Sequence, residues 1–274
     1  MKNILTISDY TFREALSRKI FLTFFVVSTF TLIIFGLIFA TVGISELVPV
    51  VSMNGINTLD NVNAELVKFF KMLIVVPLFG GGLFLSIFSV SSFIPNMLEK
   101  GSIDLILSKP ISRSQIIWGK FIGGTAMVFV NVAYLVIGIW FLIGIKFGIW
   151  NIDILATIIT ITFAFMVLYS LIILVGILTR SSVLAMMLTY IIFFIFSPLL
   201  ASRENIYMLF NNKFVEYLLD SLYYFLPKTS EIGKITSELA LGIGISEYQP
   251  LITSFLFLIL NLSLSIIIFS KKDY

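Results

Sequence analysis

The sequence predicts an all-α membrane protein: six transmembrane helices, preceded by an amphipathic interfacial helix, with short outer helices between the fifth and sixth spans. Three observations predict it. Apolar residues make up 59% of the 274 and charged residues 12%, against roughly 45–50% and about 25% in soluble domains. The mean hydropathy is +1.08, which leaves too few polar side chains to coat a globule of this size. Six windows, each longer than the ~20 residues that cross a hydrocarbon core, contain no Asp, Glu, Lys or Arg. The same balance excludes a soluble enzyme, a disordered chain and a coiled coil. The apolar windows run through the whole length, so residues 1–274 form a single membrane domain.

Residues 1–19 carry a helical pattern. Leu5, Phe12, Leu16 and Ile20 share one stripe of a 3.6-residue period. Asp9/Arg13 and Glu14/Arg18 are i,i+4 pairs with the acid first, the favourable order. An amphipathic helix with basic residues directly before a span is expected in the headgroup layer. Phe12, Arg13, Leu16, Arg18 and Lys19 are its membrane-contacting candidates.

The spans are expected at about 20–45, 72–98, 121–145, 154–179, 181–202 and 248–270. Lipid offers no partner to a free backbone N–H or C=O, so these stretches are helical. The first is too long for the apolar core of a cleaved signal and is read as a retained span. Lys2 stands where myristoylation requires glycine, and no Cys is present to carry a lipid. Only Arg180 separates the fourth and fifth windows, which predicts a tight hairpin.

Basic residues orient the bundle. With the N-terminus inside, the inner segments hold 11 Lys/Arg against 5 acids, and the outer ones hold 7 against 10. Both termini are therefore expected in the cytoplasm.

The inner segment 99–120 is the most informative. Gly101 ends the second span, Ser102 caps a short helix, and Ile103, Ile106 and Leu107 share one of its faces. Pro110 stops it. Ser112-Arg113-Ser114-Gln115 is a capping-box pattern that opens the third span. The result is a helix–turn–helix corner with an apolar face, ringed by Glu99, Lys100, Asp104, Lys109 and Arg113. On the outer side, residues 203–247 hold no seventh span. Two short helices are expected there: one with Phe214, Leu218, Leu222 and Phe225 on a face and Pro227 as its stop, the other over Thr229 to Leu241.

Several chemistries are missing from the sequence. There is no Cys and no His, which removes thiol chemistry, disulfides, an imidazole base and a zinc site of the usual ligands. The spans contain no ionisable group of the kind that proton- or ion-coupled carriers place at mid-membrane. No phosphate-loop motif is present, since Gly119-Lys120 is followed by Phe121. The net charge of +3 is too small to imply nucleic acid. Ser86, Ser89, Ser91, Ser92, Asn131, Tyr134, Asn261, Ser263 and Ser265 are expected to hydrogen-bond between helices. Gly80-Gly81-Gly82 either admits a close neighbour or lets the second span bend. Gly119/Gly123 and Gly144/Gly148 have small-xxx-small spacing. The pattern is a transport-like bundle without an energy source of its own, plus a corner built for docking. A stand-alone channel or carrier, and a membrane-embedded assembly or immunity factor, are the alternatives that the residues leave open.

Tyr10–Lys19, Glu99–Arg113 and the following Gly119-Lys120 resemble the permease subunits of type-2 ABC exporters, the ABC-2 family. The 99–113 stretch is closest to the branch that includes the nitrous-oxide-reductase maturation permease. The resemblance implies a connecting helix over 1–19. It implies a coupling helix formed by Glu99, Lys100, Gly101, Ser102, Ile103, Asp104, Ile106 and Leu107, seated in a groove of a separate P-loop ATP-binding subunit. It further implies two permease copies as a homodimer and two ATPases in the plasma membrane. ATP and Mg would be held by the partner, with no cofactor on this chain. It carries over no substrate-contact residue and no catalytic residue.

Overall fold

The computed structural model describes residues 2–17, 19–43, 59–99, 101, 103, 108, 111–209 and 213–272, and the described residues are helical with no strand among them. In chain order, α1 spans Lys2–Ser17 and α2 Lys19–Thr41. The next rod is α3 (Leu59–Pro77), a π-helical turn (Leu78–Gly82), α4 (Leu83–Val90) and α5 (Phe93–Met97). Then follow α6 (Arg113–Phe147) and α7 (Asp153–Thr179). The fifth rod is α8 (Ser182–Ile191), a second π-helical turn (Ile192–Phe196) and α9 (Ser197–Ala201). Three short helices, α10 (Arg203–Leu209), α11 (Lys213–Phe225) and α12 (Thr229–Leu241), precede α13 (Gln249–Lys271).

Six of these rods are long and apolar enough to cross a membrane: Leu22–Thr41, Asn63–Met97, Arg113–Phe147, Asp153–Thr179, Ser182–Ala201 and Gln249–Lys271. The chain is an integral, multi-pass membrane protein. The second and third rods extend well past the charge-free windows. At 1.5 Å per residue the 35-residue α6 is about 50 Å long, more than the ~30 Å hydrocarbon core. It carries Lys120 and Lys146 within its length. Charge alone does not end a helix when a partner from elsewhere in the chain meets it.

The helix ends are set by local chemistry. Ser112 and Gln115 form the reciprocal capping box at the start of α6, and Gly148 closes it in the left-handed region at φ 69°. Arg180 takes a left-handed φ of 53° after α7, and the Ser181 hydroxyl accepts from the Leu184 N–H at 3.3 Å. This two-residue link is the hairpin that the sequence led us to expect. The first two of the three glycines do not admit a close neighbour, since a Cβ on Gly80 or Gly81 would meet nothing within 4 Å, while one on Gly82 would come within 3.0 Å of Leu78. They lie in the wide π turn instead. The second π turn precedes Pro198, which has no N–H to offer the Phe194 carbonyl.

α7 is the hub of the bundle, with 78% of its most apolar stretch buried against 17% for α2. It packs against α6, α12, α13 and the fifth rod. Tyr169, Phe165, Phe93 and Phe269 are the largest fully buried side chains among the described residues. The segment after the fifth span contains three short helices rather than two, because the chain turns once at Ser202 and restarts as α10. The polar residues inside spans divide into two groups. Asn131 and Tyr134 do join helices: Ser28 Oγ donates to Asn131 Oδ1 at 2.8 Å, and Thr29 and Tyr134 hydroxyls lie 3.3 Å apart. Ser86, Ser91, Asn261 and Ser265 instead donate to carbonyls three or four residues back in their own chain segment.

Candidate functional site

The bundle has two ends. One gathers α1, the corner after α5, the α7–α8 hairpin and the end of α13. We call it the corner end. The other, the cap end, carries α10, α11 and α12.

At the corner end the chain leaves α5 through Leu98, which is buried, and Glu99, which is exposed. Gly101 adopts φ 87°, a conformation that favours glycine. The Ile103 N–H then donates to the Glu99 carbonyl at 3.2 Å. Ile103 is only 4% exposed and belongs to the same core as Met97, Ile116 and Ile117. It anchors the corner on its own bundle and does not stand on an outward apolar face. Lys100, Ser102, Asp104, Ile106 and Leu107 lie outside the described residues, as do Lys109 and Pro110.

Arg113 is used in a way the sequence did not suggest. Its Nη1 donates to the carbonyls of Phe269 at 2.8 Å, Ser270 at 3.2 Å and Lys272. These are orphan acceptors at the C-terminus of α13, where the helix dipole favours a cation. The residue expected to ring a docking surface therefore ties the start of α6 to the last span. Lys272 Nζ completes the arrangement by donating to the Ile177 carbonyl at the end of α7, at 2.9 Å.

α1 lies directly on α6. A Cβ on Gly119 would come within 2.5 Å of Ile7, and one on Gly123 within 2.7 Å of Thr11 and 2.8 Å of the Ser8 carbonyl. The small-xxx-small spacing is thus a true helix crossing, sealed by Ser8 Oγ donating to the Gly119 carbonyl at 3.1 Å. Gly144/Gly148 is different: Gly144 lies under the Trp150 ring and Gly148 is the helix cap. Between the two glycines of the crossing, Lys120 is 3% exposed and its Nζ reaches Glu14 Oε2 at 2.8 Å. Tyr169 donates its hydroxyl to the Lys120 carbonyl at 3.1 Å. Gly124 leaves room for that ring, since a Cβ there would come within 2.6 Å of it.

Of the predicted interfacial residues, Phe12 is half-buried, Arg13 is exposed and pairs with Asp9 at 2.9 Å, and Leu16 is 44% exposed. Arg18 and the side chain of Lys19 are outside the described residues. The helix has three faces. Ile7, Ser8 and Thr11 pack on α6, Leu5 and Leu16 form an exposed apolar strip beside them, and Asp9 and Arg13 lie beyond that strip. Of the apolar stripe read from the sequence, Leu5 and Leu16 face outward while Phe12 packs partly against the core. Lys120, Glu14, Arg113 and Tyr169 were missed as partners, because their contacts join positions far apart in sequence. The glycine spacing was the one available signal.

A family model described as ABC-2 family transporter protein matches residues 7–274. The chain belongs to this family. No curated protein sequence matches it. Membership makes it a membrane transporter permease subunit of a kind that works with an ATP-binding subunit. In this ABC-2 permease the joined elements are the start of α6, α1, the end of α13 and the middle of α7.

Proposed function

We propose that this chain is the membrane half of an ATP-driven exporter, assembled as a homodimer with two copies of a P-loop ATPase that holds ATP and Mg. The corner end faces the cytoplasm of the plasma membrane, with both termini. α1 lies in the inner headgroup layer, with Leu5 and Leu16 toward acyl chains and Arg13 toward lipid phosphates. Residues 99–107 form the coupling element. Within the family, the resemblance of the 99–113 stretch supports a branch like that of the nitrous-oxide-reductase maturation permease.

The observation that carries this reading is the joint behind the corner. Glu99 is exposed while Ile103, five residues after Leu98, is buried. The corner is therefore accessible on one side and fixed on the other, as a force-transmitting element must be. The α6 start that follows is locked to α1 by glycine packing and the Lys120–Glu14 pair, and to α13 by Arg113. A packed interior transmits a push and does not absorb it.

Co-expression with the ATPase tests the reading. Glu99→Arg and Gly101→Pro are expected to abolish co-purification while the permease itself stays monodisperse, since Gly101 requires a positive φ that proline forbids. Intact binding by both variants overturns it. The chain has no cysteine, so Ser102→Cys is a clean topological probe. Labelling by a membrane-impermeant maleimide in sealed cells overturns the orientation.

A further inference from the structure

At the cap end, α9, the α11–α12 turn and the start of α12 enclose a cavity of about 10 Å³ lined by Ser197, Leu200, Tyr223, Lys228 and Glu231, among others. Its walls carry opposite charges that do not meet. Lys228 is 4% exposed and its Nζ has no hydrogen-bond acceptor in the protein. The Tyr223 and Tyr224 rings, centred 3.6 and 4.9 Å away, take up part of its charge but leave its N–H groups unmatched. Across the cavity, Glu231 Oε1 accepts from the Tyr223 hydroxyl at 2.8 Å, while Oε2 is buried without a donor. Ser197 Oγ accepts from the Ser230 N–H at 2.8 Å, which leaves its own proton to give.

We propose that this cavity is a binding site for one internal water molecule that bridges Lys228 Nζ to Glu231 Oε2. The volume is of the size that one water requires, ~10–15 Å³. The chemistry also matches. The water accepts from the Lys228 ammonium and from the Ser197 hydroxyl, and donates to Glu231. Three partners are the usual number for a buried water. A buried ammonium and a buried carboxylate oxygen, each costly alone, satisfy each other through it. The water also joins the three cap elements: Ser197 is on α9, Lys228 in the turn and Glu231 on α12. It links Lys228 to Glu231 without a direct ion pair between the two.

The test is a density map of the full protein in lipid nanodiscs at a resolution that shows ordered waters. The expected result is one peak within hydrogen-bond distance of both Lys228 Nζ and Glu231 Oε2. A direct Lys228–Glu231 contact with no peak overturns the proposal, as does a cavity with neither. Glu231→Gln retains an acceptor oxygen and is expected to keep the peak. Lys228→Met is expected to lose it; a peak that persists there shows that Lys228 does not hold the water, and overturns the bridge.

Discussion

The two ends of the molecule handle charge in opposite ways. At the corner end three buried or half-buried cations among the described residues meet an acceptor directly: Lys120 on Glu14, Arg113 on the last carbonyls of α13, and Lys272 on the Ile177 carbonyl. At the cap end, Arg203 and Lys228 converge on the single Tyr223 ring at 3.5 and 3.6 Å, and Arg203 approaches Asp220 and Glu231 only at 3.5 and 4.0 Å. The first arrangement resists displacement. The second leaves its cations over a ring and farther from carboxylates, whose close donors are the tyrosine hydroxyls of Tyr207 and Tyr223. On the function proposed above, the corner end acts as a stiff joint where force enters and the cap end as a yielding cover at the far side.

The largest expected effect comes from breaking the joint. Gly119→Leu or Gly123→Leu pushes a side chain into Ile7 or Thr11 and the Ser8 carbonyl, where a Cβ alone is already within 2.8 Å. Backbone cannot move aside as a flexible side chain does, so a loss of about 3 kcal/mol or more is expected, read as a lower melting temperature and release of α1. Gly81→Ala is the matched control, because nothing lies within 4 Å of its added Cβ. Equal melting of the control and Gly123→Leu would mean that α1 is not held by this crossing.

Next comes the charge pair. Glu14→Gln leaves the Lys120 ammonium, 3% exposed, facing an amide. About 3 kcal/mol is expected, the low end for breaking a buried pair, because Glu14 retains 22% exposure. Glu14→Gln combined with Lys120→Met is expected to recover much of it. At the cap, Asp220→Asn costs less than about 1 kcal/mol, since that carboxylate is 42% exposed. Thermal melts of the four proteins in one detergent measure the contrast. A larger loss from Asp220→Asn than from Glu14→Gln would reverse the assignment of stiff and yielding ends.

How far the sequence discloses this design follows from the range of each interaction. Signals within a few residues were legible. The Ser112–Gln115 box, the Arg180 hairpin and α12 at Thr229–Leu241 all depend on local chemistry. The six spans were legible because length and apolarity suffice. The extended start of α3 and the last turn of α6 were not, since they depend on distant acceptors. Lys71 Nζ donates to the Ala240 carbonyl at 2.8 Å, and Lys146 Nζ to those of Phe39 and Val42 at 2.5 and 2.7 Å. Each is a cation on the C-terminus of another helix. Counting basic residues gives a topology but does not reveal that several of them serve as caps. Arg113 was misplaced for the same reason: nothing near it in sequence points to Phe269.

The smallest expected effect sharpens the comparison from the cap side. Burial lowers the Lys228 ammonium from 10.5 to about 8, against the opposing pull of Glu231 and Glu247 and with a further push from Arg203. The group is charged at neutral pH. In a loosened cap it regains an ordinary value near 10.5. Between about pH 8 and 10.5 the loosened state therefore binds more protons than the closed one, and closure strengthens as pH rises. The slope is less than 1.4 kcal/mol per pH unit, the limit for a single proton. Melting of the wild type at pH 7.5 and 9.5, compared with Lys228→Met, isolates this group from the other lysines and tyrosines. The wild type is expected to gain relative to the variant at the higher pH. At the corner end the Lys120 ammonium instead meets a carboxylate directly, 2.8 Å away. A relative loss for the wild type at pH 9.5 would show that the Lys228 charge stabilises the closed cap as firmly as the corner's pairs stabilise the joint, and the contrast between the two ends would fail.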